Sequence, residues 1–172
     1  MAVYCLTGPE STGKTTLCQE LAAHFGGKWI AEYAREYVEK LGRKYNYYDV
    51  CRIARRQIEQ LNEAKNDDNS FIFFDTDLII TKVWFEYCYQ KTPLFVTNYL
   101  KKMPVDCYLL CFPDIEWQSD TVRENGTEQK RQYLFDRYKL EIQKTEKSYY
   151  IIKGQGQERL YNAINSVNLF LK

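Results

Sequence analysis

The chain is short of the residues on which metal centres and exported proteins depend. It has one histidine, His24. A lone imidazole on the predicted first helix reads as a surface or packing residue, so no zinc site is expected. Six cysteines stand at 5, 18, 51, 88, 107 and 111, none in C-x-x-C spacing. Cys5 and Cys107 fall in predicted buried strands, and free cysteines used as small core residues suit a reducing cytoplasm. Charge of one sign is also lacking. With 24 Lys and Arg against 23 Asp and Glu, the net charge is +1. That removes the electrostatic case for nucleic acid or an anionic membrane surface. No apolar run approaches the roughly 20 residues of a membrane span. Met1-Ala2-Val3 leads straight into a strand, so no signal peptide is expected. There is no repeat, low-complexity tract or Pro/Gly/Ser-rich linker, and 172 residues suit one domain over 1–172.

Tyrosine, by contrast, is abundant, at 15 residues. Many sit at helix-like spacing, as in Tyr33 and Tyr37, Tyr45, Tyr47 and Tyr48, and Tyr87 and Tyr89. Most are expected to pack amphipathically with a wet hydroxyl, leaving one or two to stack on a planar ligand. Short apolar runs alternate with helical patterns. Strands are predicted at 3–7, 28–31, 70–74, 105–112 and 149–152. Helices are predicted at 12–25, 32–41, 49–65, 77–90 and 92–102, and after the turn Gly154-Gln155-Gly156 a last helix ends near Leu171. A charged stretch of about 115–147 reads as mostly helical, broken at Asn125-Gly126. The alternation predicts an α/β fold: a five-stranded parallel sheet with helices on both faces. Such sheets bind ligands at the carboxyl ends of their strands.

Gly8-Pro9-Glu10-Ser11-Thr12-Gly13-Lys14-Thr15-Thr16 follows the first strand and opens the first helix. This is the G-x-x-x-x-G-K-[ST] loop of P-loop NTPases in its required strand–helix setting. Gly8 and Gly13 permit a tight turn, and the backbone from Gly8 through Glu10, Ser11, Thr12 and Thr16 cradles phosphate with its N–H groups. Lys14 places a point charge on the β- and γ-phosphates, and Thr15 ligates Mg²⁺. The helix aims its positive end at the same phosphates. ATP and Mg²⁺ are therefore the expected cofactors.

Asp75 ends the apolar strand Ser70–Phe74, where an acid commonly holds Mg²⁺ for a phosphate loop. Asp77 suits either function or an N-cap. Glu32 follows the second strand and Arg35 lies three residues on. The pair can accept a proton and clamp a substrate, or form an ordinary exposed ion pair. Arg123, Lys130, Arg131 and Arg137 lie in the 115–147 segment, which is either a lid closing over the triphosphate or a solvated charged face. Trp117 either stacks on a planar ring or anchors that segment. Gly154-Gln155-Gly156 lets the backbone approach adenine or is an ordinary turn.

Taken together, four pieces resemble the ribosylnicotinamide kinase domain of the bacterial NAD-biosynthesis regulator, the NadR type. They are the phosphate loop, Glu32-Tyr33-Ala34-Arg35-Glu36-Tyr37-Val38, Phe74-Asp75-Thr76-Asp77, and Trp117 through Asp120 to Arg123 with Gly126 after it. The resemblance implies an ATP-dependent kinase for the 5′-hydroxyl of a nicotinamide riboside-like nucleoside. Catalytic roles are expected for Lys14, Glu32, Asp75, Asp77, Arg123 and Arg131, and the resemblance strengthens those of Glu32, Asp77 and Arg123. It implies substrate contacts from Glu32, Tyr33, Arg35, Asp77, Trp117 and Asp120. The adenylyltransferase and DNA-binding parts of that regulator have no counterpart in 172 residues, so a stand-alone kinase is expected. Another nucleoside or a vitamin such as thiamine remains open as acceptor. So does a regulatory ATPase switch acting through a protein partner, although no N-K-x-D guanine-reading motif is present.

Overall fold

A computed structural model of the chain describes residues 1–118 and 126–172. In chain order the elements are β1 (Ala2–Thr7), α1 (Lys14–Phe25), β2 (Lys28–Ile30), α2 (Tyr33–Lys40), α3 (Tyr47–Ala64), β3 (Phe71–Asp75), α4 (Leu78–Tyr89), α5 (Leu94–Leu100), β4 (Cys107–Cys111), α6 (Glu128–Gln143), β5 (Ser148–Ile152) and α7 (Gly156–Phe170). The strands form one parallel sheet in the order β2-β3-β1-β4-β5. This is the predicted class and strand number.

Two-sided burial explains why the strands read as unbroken apolar runs. In β1, Val3 and Cys5 face a core built with α3, α4, α5 and α6, while Tyr4 and Leu6 face a second core under α1 and α7. Ile72 and Phe74 join the first core and Phe73 the second. The period of two thus sorts one strand's side chains between two layers of helix. Each fully buried large side chain contributes about 1.5–3 kcal/mol relative to exposure. All six cysteines are free, and Cys5, Cys18, Cys107 and Cys111 are buried in these cores.

Most boundaries shift by one or two residues from expectation, and three differences have a local reason or bear on the site. Helix α1 begins at Lys14 rather than Thr12, because Gly13 adopts a left-handed conformation as its N-cap. Helix α3 begins two residues early, because Asn46 and Asp49 form a reciprocal capping box. Residues 115–118 are not helical, and helix α6 is capped by Thr127, whose hydroxyl accepts from the Lys130 amide at 3.3 Å. Among the described residues, no helix is long and apolar enough to cross a membrane.

Candidate active site

The phosphate loop closes on itself before any ligand is considered. Thr12 donates its hydroxyl to the Pro9 carbonyl at 2.9 Å, and Lys14 Nζ donates to the same oxygen at 2.8 Å. Gly8 is required by packing. A Cβ there would lie 2.7 Å from the Cys111 carbonyl oxygen, so β4 passes where a side chain would begin. The glycine was expected for approach to phosphate; the structure gives it a second reason.

The acids separate into different tasks. The Thr15 hydroxyl donates to Asp75 Oδ2 at 2.6 Å, while Asp75 Oδ1 is buried with no hydrogen-bond partner. Burial pushes the Asp75 carboxyl up, against the charge of Lys14 and the Thr15 hydrogen bond, which pull it down. A hydroxyl beside an orphaned carboxylate oxygen fits a hard divalent cation. Among the described residues no three His, Cys, Asp or Glu groups converge, so the remaining ligand positions would fall to phosphate and water oxygens. Glu32 occupies the N-cap position of α2 but makes no side-chain cap hydrogen bond. Burial raises its carboxyl to about 7, with Lys14 and Arg35 opposing and Asp75 and Glu10 reinforcing. Asp77 does cap: its Oδ1 accepts from the Ile79 amide at 2.9 Å. Burial raises it to about 6, against the Ile79 amide and the Tyr108 hydroxyl. The turn between Asp75 and Asp77 is made by Thr76 at φ 69°, a conformation unfavourable for a β-branched residue.

One cavity of about 280 Å³ runs past the phosphate loop and Glu32. Its phosphate end is lined by Gly8, Glu10, Ser11, Thr12, Gly13, Lys14, Thr15 and Thr16, with Glu32 and Arg35 beside them. Its other end is an apolar, aromatic chamber formed chiefly by Val38, Tyr45, Ile80, Val83, Trp84 and Tyr87. Tyr45 stands edge-on to Trp84, with ring centres 4.7 Å apart. Asp77 and Tyr33 do not line this cavity; they flank a much smaller void beneath it, with Asp75 and Gln57. Sequence reasoning missed the chamber. The signal was present in α4, where Ile80, Val83, Trp84 and Tyr87 recur at i, i+3, i+4 and i+7. A second apolar stripe on a helix that already buries Leu78, Ile79 and Phe85 is more than one core contact needs.

Two buried arginines brace the phosphate loop from behind. Arg131 donates from Nη2 to the carbonyls of Ser11 at 3.1 Å and Ile115 at 2.8 Å. In this arrangement it holds the loop rather than reaching over it. Arg159, which sequence reasoning passed over, donates to Thr12 O at 3.1 Å, Phe112 O at 3.0 Å and Gly154 O at 2.7 Å, and pairs with Asp114. Gly154 returns the contact by donating its amide to Asp114 Oδ2 at 2.8 Å. Gly154 and Gly156 therefore lie in a loop tied to the phosphate loop, but they do not line the cavity. Trp117 packs on Gly126, where a Cβ would meet indole Cε2 at 2.8 Å, and is absent from the cavity wall. Arg35 lines the cavity and donates to Glu39 Oε1 at 3.1 Å. Arg137 pairs with Glu86 at 2.5 Å, fastening α6 to α4. Asp120 and Arg123 lie outside the described residues.

Comparison with known proteins places this geometry. Residues 3–159 match the protein family described as AAA domain. The chain is similar to the trifunctional NAD biosynthesis/regulator protein NadR of Escherichia coli (strain K12), 27% identical over 128 residues, covering 71% of this chain and 31% of that protein. It therefore spans about a third of the length of that curated relative. A NadR crystal structure in complex with NR superposes with a TM-score of 0.72 at 22% identity, over 98% of this chain and 49% of that one. A deoxyadenosine kinase from M. mycoides superposes with a TM-score of 0.65 at 14% identity, over 97% of this chain and 99% of that one. The fold is that of the P-loop kinases.

Proposed function

The chain belongs to the AAA domain family, and from that premise we propose that it is an ATP-dependent kinase acting on the 5′-hydroxyl of a nicotinamide riboside-like nucleoside. The observation that carries this reading is the continuity of the cavity: the phosphate loop opens directly onto an aromatic chamber, with Glu32 and Arg35 in the same wall. A regulatory ATPase has no use for such a chamber beside the position of its γ-phosphate. The chamber is lined by the rings of Trp84, Tyr45 and Tyr87, and among the described residues its wall contains no Asn or Gln to read the edge of a neutral base. Electron-rich aromatic faces favour a cationic ring, as in a pyridinium riboside. Similarity to a NAD-biosynthesis protein supports the same choice.

The residues act chiefly by positioning and electrostatics. Lys14 and the loop amides hold the β- and γ-phosphates, and Thr15 and Asp75 are the ligands for Mg²⁺. When bound, that ion supplies neutralisation of the triphosphate charge. Glu32 is the proton acceptor, because Asp75 is engaged with Thr15 and Asp77 caps α4 outside the cavity. The acceptor oxygen forms its bond to the γ-phosphorus as its proton passes to the Glu32 carboxylate. The bond from that phosphorus to the β–γ bridging oxygen breaks, and Lys14 faces the charge that develops on ADP.

The test is ATP consumption with Mg²⁺ against nicotinamide riboside, thiamine and neutral nucleosides, with mass detection of products. Nicotinamide riboside is expected to yield its mononucleotide. Phosphorylation of a different compound alone would move the acceptor. ATP hydrolysis without any phosphorylated acceptor would overturn the kinase reading in favour of a switch.

A further inference from the structure

Tyr138 lines the cavity from α6, one turn after Leu134, and no step above uses it. Only 6% of the residue is exposed, but its hydroxyl oxygen is not among the buried unpartnered atoms, and the residue lines the cavity. No hydrogen bond to another described residue occupies the hydroxyl, so it is available to donate to a ligand there. Burial, reinforced by the carboxylates of Glu10 and Glu32, raises its pKa well above the ordinary phenol value. Tyr138 is therefore a hydrogen-bond donor at any working pH, and it sits close enough to both acids to feel their charge.

That position constrains what it meets. A planar ring belongs in the Trp84 chamber, and the reacting hydroxyl belongs beside Lys14 and Glu32. Tyr138 lines the same cavity near Glu10 and Glu32, so it meets the part of the acceptor next to the reacting hydroxyl, and in a nucleoside that part is the sugar. Two neighbouring carboxylates that accept and one phenol that donates complement sugar hydroxyls, each of which can do both. We propose that Tyr138 is a specificity-determining residue: its phenol donates to a sugar hydroxyl of the acceptor and selects ribosides over deoxyribosides. The inference rests on the nucleoside-kinase reading above.

The test compares the full wild-type chain with Tyr138→Phe, which keeps the ring and its apolar contacts. Nicotinamide riboside and its 2′-deoxy and 3′-deoxy counterparts are measured by steady-state kinetics and by binding, read from tryptophan fluorescence. Loss of one neutral hydrogen bond is expected to raise the KM and Kd of the riboside by about 10-fold. The kcat and the KM for ATP should stay within about twofold. One deoxy compound, weaker than the riboside on the wild type, should bind the variant as well as the riboside does. A merely structural tyrosine would not erase that difference. Unchanged riboside affinity, or a fall in kcat alone, would overturn the proposal. If the wild type binds ribosides without phosphorylating them, the kinase reading fails and the binding data still decide the role of Tyr138. If it binds no riboside but phosphorylates a sugar-free acceptor, the role of Tyr138 is refuted and the kinase reading stands.

Discussion

Glu32 and Asp77 occupy the same place in two strand-to-helix turns, and the helix uses only one of their carboxylates. Asp77 is short enough to fold back on the Ile79 amide. The longer Glu32 leaves its N-cap duty unfilled and faces the phosphate end of the cavity. An acid after a strand is all that sequence can register, so Asp77 read equally as a cap or a functional acid, and Glu32 equally as a proton acceptor or half of an exposed ion pair with Arg35. The phosphate loop differed, because Gly8, Gly13, Lys14 and Thr15 are each demanded by the chemistry itself. For Glu32 the sign of the pH effect follows directly. Its pKa is raised to about 7, so the carboxylate that accepts a proton is present above that value and is lost as pH falls through it. With Glu32 as general base, kcat/KM is expected to fall tenfold per unit below about pH 7. Glu32→Gln should lower kcat by about 10²–10⁴ and abolish this limb while ATP binding persists. An unchanged acid limb in the variant would assign the proton to another group.

Among the elements, α7 contributes to the site at a distance that sequence could not register. Arg159 reads as one more charge on a surface helix, and only the folded loops after β4 and β5 bury it. It is 3% exposed and joins Thr12, Phe112 and Gly154, three segments far apart in the chain. Fixing the Thr12 carbonyl outward helps keep the following amides turned toward phosphate. Lysine at this position keeps the charge but cannot span the same acceptors. Arg159→Lys is therefore expected to raise the KM for ATP by about 10-fold with little change in the KM for acceptor, about the worth of one or two hydrogen bonds. Equal loss for both substrates would mean that α7 supports the fold generally. The charged segment after β4 was harder still to read. Its described part includes a braced helix, with Arg131 on the phosphate loop and Arg137 on Glu86, so these two arginines hold walls together.

At the scale of the whole molecule, the strand order divides the site in two. The sequence announced five strands, because burial on both faces leaves an unbroken apolar run. It carried no signal for the order β2-β3-β1-β4-β5, which depends on pairing between distant segments. That order puts Glu32, after β2, and Asp75, at the end of β3, on one side of the phosphate loop. The loops holding Asp114 and Gly154, after β4 and β5, lie on the other. The chamber is built chiefly on the first side, by α2, α4 and the segment carrying Tyr45, with Leu134 and Tyr138 of α6 completing the cavity wall. Donor and acceptor should therefore be separable by substitution. Trp84 is half-buried in the chamber and distant in sequence from every nucleotide-binding residue. Trp84→Ala is expected to raise the acceptor KM by at least about 10-fold, from lost stacking on the ring. The same variant should keep its thermal stabilisation by ATP with Mg²⁺, about 2.7 kcal/mol at 100 times Kd. If the ATP-dependent shift disappeared along with acceptor affinity, the two halves would be one coupled site. The division by strand order would then describe the fold without describing how it works.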